Sequence, residues 1–204
     1  LQNKKSNYDT DVFSPIINRI AEVVNKKYFG TIETTHDSQT TNDETDIAMR
    51  VIADHVRTLT FAIADGAIPS NEGRGYVLRR ILRRAARFGR KLDKREPFIY
   101  SVVEAVVKNM GDVFPEIIEK QTHIERVIKS EEESFNNTLD RGLEIFEDVV
   151  RELKQSKIFP GEYAFKLYDT YGFPLDLTEL MCEERGLKVN TSSFVHLMEE
   201  QKTR

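Results

Sequence analysis

Along most of this chain, apolar residues recur at steps of three and four, the spacing that lays them on one side of an α-helix. Val12, Ile16, Ile20, Val23 and Val24 predict a helix over about Asp11–Tyr28, with Gly30 as its stop. Residues 31–45 are polar, rich in Thr and Asp, and read as a loop. Ile47, Val51, Ile52, Val56, Leu59 and Ile63 predict a second helix over Asp46–Asp65, closed by Gly66. After a Pro-Ser-Asn-Glu-Gly loop, a third helix is expected over Gly75–Lys91 and a short apolar one over Pro97–Met110. Ile117, Ile124, Ile128, Phe135, Leu139, Phe146, Val150 and Leu153 predict one long helix, or a broken pair, from Pro115 to Ser156. Its Ser-Glu-Glu-Glu-Ser-Phe run reads as a solvated face. Three short helices follow, near Glu162–Tyr168, Leu175–Arg185 and Ser192–Gln201, punctuated by Gly172-Phe173-Pro174 and Gly186. Strand-like alternation is scarce. The expected fold is all-α: a multihelical bundle with one long helix and a smaller helical C-terminal subdomain, in segments 1–30, 31–160 and 161–204.

Composition narrows the class. The 204 residues are 39% hydrophobic and 31% charged, enough to bury a core. A single cysteine, Cys182, allows no internal disulfide and suits a reducing, cytoplasmic setting; it reads as a packed helix residue. No apolar run is long enough to span a bilayer, and the expected chain is a piece of something longer. His36, His55, His123 and His196 are scattered, so neither a metal site nor a histidine-activated nucleophile is expected. Gly-Arg-Gly-Tyr lacks the spacing of a phosphate-cradling loop. Read from its residues, the chain has no catalytic apparatus of its own.

Charge then changes the picture. The chain is formally −4, yet residues 74–95 hold ten basic side chains and one acid, Asp93. On the third helix, Arg79, Arg80, Arg83, Arg84, Arg87, Arg90 and Lys91 fall within an arc of about 140° at about 100° per residue. Val77, Leu78, Ile81, Leu82, Ala85, Ala86, Phe88 and Leu92 fill the opposite arc, and Tyr76 projects among the cations. Such a stripe either pairs with the protein's own acidic helices or binds a polyanion. Six arginines to one lysine favour the bidentate geometry of phosphate. Phosphate contacts position a nucleic acid without reading it. Asn71, at the mouth of the stripe, either caps or turns the backbone, or uses its paired donor and acceptor on a base edge. Asp169, in Leu-Tyr-Asp-Thr-Tyr-Gly, has the same two options, with capping the next turn as its ordinary role.

Several stretches carry a resemblance. SNYDTDVF (6–13), RVIADHVRTLTFAIADGAIPSNEGRGYVLRRILRRAARFGRKL (50–92), EPFIYSVV (96–103), VFPEI (113–117), EEESFNNTLDRGLEIF (131–146) and LYDTYGFPLDLTELMCEERG (167–186) closely resemble the alanyl-tRNA synthetase family. The likeness covers nearly the whole chain and is weakest at 31–45 and 151–160. It corresponds to the segment that follows the family's class II aminoacylation core.

The resemblance implies a helical tRNA-recognition domain that grips the acceptor stem of tRNA(Ala), with no membrane or DNA partner. On it, residues 1–30 are the tail of the catalytic core and a connecting helix, and 31–204 the recognition domain. Identity in this family rests on a G·U wobble pair, and its two base-reading residues fall on Asn71 and Asp169. Arg74, Arg79, Arg80, Arg83, Arg84, Arg87, Arg90 and Lys91 become the backbone grip. The ATP, Mg and alanine sites lie before Leu1 and a zinc-holding editing domain beyond Arg204, so no cofactor is expected here. The alternative is a helical protein-interaction domain whose basic face docks an acidic partner.

Overall fold

Pro15 opens the first helix, α1 (Ser14–Val24), where its missing N–H costs nothing. The computed structural model to which it belongs describes residues 4, 6–30, 41–154 and 156–203. α1 buries Ile16, Ile17, Ile20 and Val24, and stops at Asn25 in a left-handed conformation. The helix thus ends earlier than Gly30, because a short polar side chain tolerates that conformation. Then come α2 (Thr41–Ala64) and α3 (Gly73–Lys91). The polar loop expected over 31–45 divides: 31–40 lies outside the described residues, and 41–45 belongs to α2. A 3-10 turn over Ile99–Val102 leads into α4 (Val103–Met110), where one continuous helix was expected. Next are α5 (Pro115–Glu119) and, after a break at Lys120, α6 (Gln121–Glu152), so the expected long helix is a broken pair. α7 (Gly161–Tyr171), α8 (Leu175–Glu183) and α9 (Thr191–Lys202) complete the helices.

Among the described residues the fold is all-α apart from one parallel strand pair, β1 (Ile158–Phe159) with β2 (Lys188–Val189), in register Ile158–Lys188 and Phe159–Val189. Two residues per strand are too few to leave a periodic signal. No helix among the described residues is long and apolar enough to cross a membrane.

The chain divides into two compact units, Leu1–Glu133 and Ser134–Arg204, with the division falling inside α6. In the first, α2 packs against α1, α3, α4 and α5. Ile20, Ile52, Leu59, Leu82, Val103 and Ile128 lie in its core. In the second, Phe135 meets Phe173 edge-on with centroids 5.5 Å apart, and Phe146 stacks on Phe159 at 5.1 Å. Gly142 permits this packing: a Cβ there would lie 2.2 Å from the Phe173 ring. Cys182 is buried, and burial, reinforced by Glu179 and Glu183, pushes its thiol up to about 12. It is a packed residue, as its apolar surroundings in sequence suggest.

One expectation about α6 fails. Of the three glutamates in its acidic run only Glu133 is exposed; Glu131 and Glu132 turn inward. Glu132 is 1% exposed and its two carboxylate oxygens accept from the Phe98 and Ile99 N–H groups, each at 3.0 Å. It thereby holds the start of the 3-10 turn, satisfying donors that the turn leaves open. Burial pushes Glu132 up to about 7, more than those two N–H groups lower it.

Candidate nucleic-acid interface

The loop before α3 is shaped from both ends. Pro69 is buried, and Ser70 Oγ donates to the Glu72 carbonyl at 3.0 Å. The chain folds back so tightly over the first turn of α3 that Gly75 has no room for a side chain. A Cβ there would lie 2.1 Å from Ser70 Oγ and 2.3 Å from the Ile68 carbonyl oxygen. Asn71 is exposed at the tip of this loop. Glu72 stands at the N-cap without a side-chain capping bond, so Asn71 does not perform the capping role open to it.

Its side chain does something else. Asn71 Oδ1 accepts from Arg79 Nη1, one helical span further along α3. The same guanidinium places Nε and Nη2 on the two oxygens of Glu131, at 3.0 and 3.1 Å. Arg83 adds Nε and Nη2 to Glu131 Oε1, at 2.9 and 2.7 Å. The Glu131 side chain is only 10% exposed, and the two arginine side chains are 20% and 15% exposed. Burial pulls the Arg83 guanidinium below its usual value, against the opposing pull of Glu131. Arg79 is thus a fork, two prongs on a sheltered carboxylate and the third on the loop.

The rest of the stripe varies along its length. Arg74 is exposed in the first turn. Arg80 lies over the Tyr76 ring at 5.8 Å, so the aromatic among the cations meets one of them. Arg87 is 8% exposed and lies 5.3 Å from the Phe88 ring, as does Lys91. Arg90 donates to the Lys94 carbonyl at 2.7 Å. Burial lowers the pKa of His55 on α2; Asp54 opposes this and Arg84 adds to it. The expected clean division of core from cations is therefore corrected at two points: Arg87 is buried, and Val77 is 49% exposed. α3 is covered on more than one side, by α2 and, through Arg79 and Arg83, by α6.

In the second unit, Asp169 lies in α7, two residues past buried Leu167 and so on the helix's outer face. It is exposed, and its Oδ1 accepts from Gln201 Nε2 of α9 at 2.6 Å. It does not cap the following turn; Gly172, in a left-handed conformation, ends α7. Among the described residues, no group of three or more His, Cys, Asp or Glu side chains is arranged to hold a metal ion.

The sequence leaves open which stripe arginines pair with the protein's own acids; Arg79 and Arg83 do so, on Glu131. Gln201 has no signal in the sequence, being one polar residue on a polar helix.

Comparison with known proteins decides the family. A family model described as tRNA synthetases class II (A) matches residues 1–204. The chain belongs to that family. Among curated relatives of this synthetase segment, the alanine–tRNA ligase of Chlorobaculum tepidum is 55% identical over 206 residues. That match covers 100% of this chain and 22% of the relative. The alanine–tRNA ligases of Chlorobium phaeobacteroides and Carboxydothermus hydrogenoformans are 52% and 49% identical, with the same two shares. The synthetase segment spans about a fifth of the length of the relatives it matches.

Proposed function

We propose that this chain is the tRNA-binding portion of an alanine–tRNA ligase. In this reading it recognises the acceptor stem of tRNA(Ala), and the G·U wobble pair in it, through the minor groove. The full-length enzyme then carries out ATP-dependent alanylation in the cytoplasm. ATP, Mg and the alanine-activating chemistry, and the zinc of an editing domain, belong to other parts of that enzyme.

The observation that carries the reading is an exposed amide, held by a charged fork, at the entrance to an arginine-rich helix. Whole-chain identity near one half to three alanine–tRNA ligases supports it. A-form RNA offers a wide, shallow minor groove within reach of short side chains. In a G·U pair the guanine 2-amino group has no partner carbonyl and stands free there. A carboxylate such as Asp169 can only accept, which suits that donor. An amide such as Asn71 has a donor and an acceptor end to address the same pair. Facing a G·C pair, whose 2-amino group is already engaged, the carboxylate loses its partner at a cost. Arginines of α3 supply the sequence-independent grip on phosphate. Those paired with Glu131 contribute less free charge to it than their number suggests.

In the full-length enzyme, Asn71→Ala and Asp169→Ala should each lower charging of a G·U tRNA by about 1–3 kcal/mol in kcat/KM. Alanine activation should fall far less. Equal loss of activation and charging would make both residues structural and refute the assignment.

A further inference from the structure

We infer that Glu131 and Arg79 are positioning residues that fix which end of Asn71 faces the RNA: its oxygen is held inward, and it reads by donating from its amide nitrogen. The inference rests on the proposal that Asn71 addresses the wobble pair, and adds to it the direction of the hydrogen bond. A guanidinium has five donors and no acceptor, so the amide oxygen, not the nitrogen, must face Arg79. The contact to Asn71 Oδ1 has that sense. The nitrogen, with two hydrogens, is then turned away from the guanidinium on an exposed residue.

Arg79 on its own would be a poor anchor, since a long side chain loses rotamer freedom on each contact. Glu131 removes that freedom: it grips Nε and Nη2 side-on at 3.0 and 3.1 Å, leaving Nη1 to point at the loop. Arg83 holds Glu131 in turn, through two bonds to Oε1. An acid in the middle of a basic stripe weakens attraction to phosphate, which makes its presence costly for grip alone. It makes sense as an orienting group. The ligand atom is accordingly the minor-groove acceptor that the wobble displaces, uracil O2, since guanine N3 and the ribose hydroxyls stand alike in a G·C pair. The free guanine 2-amino group, a donor, is left to another residue.

The test uses full-length enzyme and two tRNAs that differ only in G·U against G·C, reading the ratio of kcat/KM between them. Asn71→Asp keeps an oxygen for Arg79 but has nothing to donate. It should lose the G·U preference as fully as Asn71→Ala, about five- to hundredfold. Glu131→Gln should lower the preference about two- to tenfold through loosened orientation. Binding of the G·C tRNA at low salt should tighten in the same variant, since one acid leaves the basic face. Opposite movement of affinity and preference is a signature that simple misfolding cannot produce. If Glu131→Gln fails to fold, Asn71→Asp, at an exposed site, decides alone. Retention of the preference by Asn71→Asp overturns the inference. So does a Glu131→Gln variant that binds both tRNAs more tightly at an unchanged ratio. Were Asn71→Ala itself to keep the wild-type ratio, the base-reading role would fall, and the inference with it. Were only that variant to lose it, the role would stand and the positioning would not.

Discussion

Asn71 and Asp169 are both short, polar and exposed, and each is held by one side-chain partner, yet the supports differ in kind. Asn71 is tethered by an arginine whose other two prongs sit on a sheltered carboxylate, shared with a second arginine. Asp169 accepts one bond from Gln201, on a helix face open to water. A bidentate ion pair in partial shelter fixes the geometry of the arginine that holds Asn71; a single bond from an exposed amide to an exposed carboxylate competes with water at every moment. The first arrangement fixes the Asn71 amide in one orientation. The second leaves a carboxylate whose partner can be exchanged at little cost. One site invests in orientation, the other in availability.

Breaking the stiffer support should have the larger effect. Gly75→Ala forces a Cβ against Ser70 Oγ and the Ile68 carbonyl, so the loop must shift and carry Asn71 with it. A stability loss of about 1–3 kcal/mol is expected from the overpacking, seen in thermal melting. Loss of the G·U preference should accompany it, while Asp169 keeps its bond to Gln201.

A change of pH sharpens the comparison with an effect on the order of 2 kcal/mol. Glu132 neighbours Glu131 on α6, and its folded value is about 7 against an ordinary 4.5. Between those values the folded form holds a proton that the unfolded chain has lost. Stability therefore falls as pH rises through that window and levels off above it. Hydrogen exchange of the most protected core amides of the first unit, corrected for its intrinsic pH dependence, should report that loss from pH 5 to 8. Glu132→Gln should abolish that slope, and amides around Asp169 should show none of it.

Smallest of all is the softer support. Gln201→Ala should change charging of either tRNA by less than about 0.5 kcal/mol, as exposed side-chain bonds seldom contribute more. A tenfold loss would mean that Asp169 needs positioning as much as Asn71 does.

Much of this was legible in the sequence, and the failures have physical causes. Helix periodicity placed Ile16, Leu59, Leu82, Ile128 and Phe135 in the core, where they lie. Burial of aliphatic and aromatic side chains is what the three-and-four spacing encodes. The 3-10 turn at Ile99 was not readable, because Glu132, more than thirty residues away, stabilises it. That stripe arginines could pair with the protein's own acids was legible; that Arg79 and Arg83 are the ones on Glu131 depends on how α6 faces α3. Asn71 and Asp169 stood out through resemblance and residue type, and only coordinates could show that Asn71 has a fixed polarity.

The most direct test removes one group from the RNA. Replacing the wobble guanosine by inosine deletes the 2-amino group and leaves the uracil pairing geometry. Wild-type enzyme should lose about 1–3 kcal/mol in kcat/KM on this tRNA, and Asp169→Ala should lose nothing further, having already lost the acceptor. If Asp169→Ala remains as sensitive to the deletion as wild type, that carboxylate does not read the wobble pair.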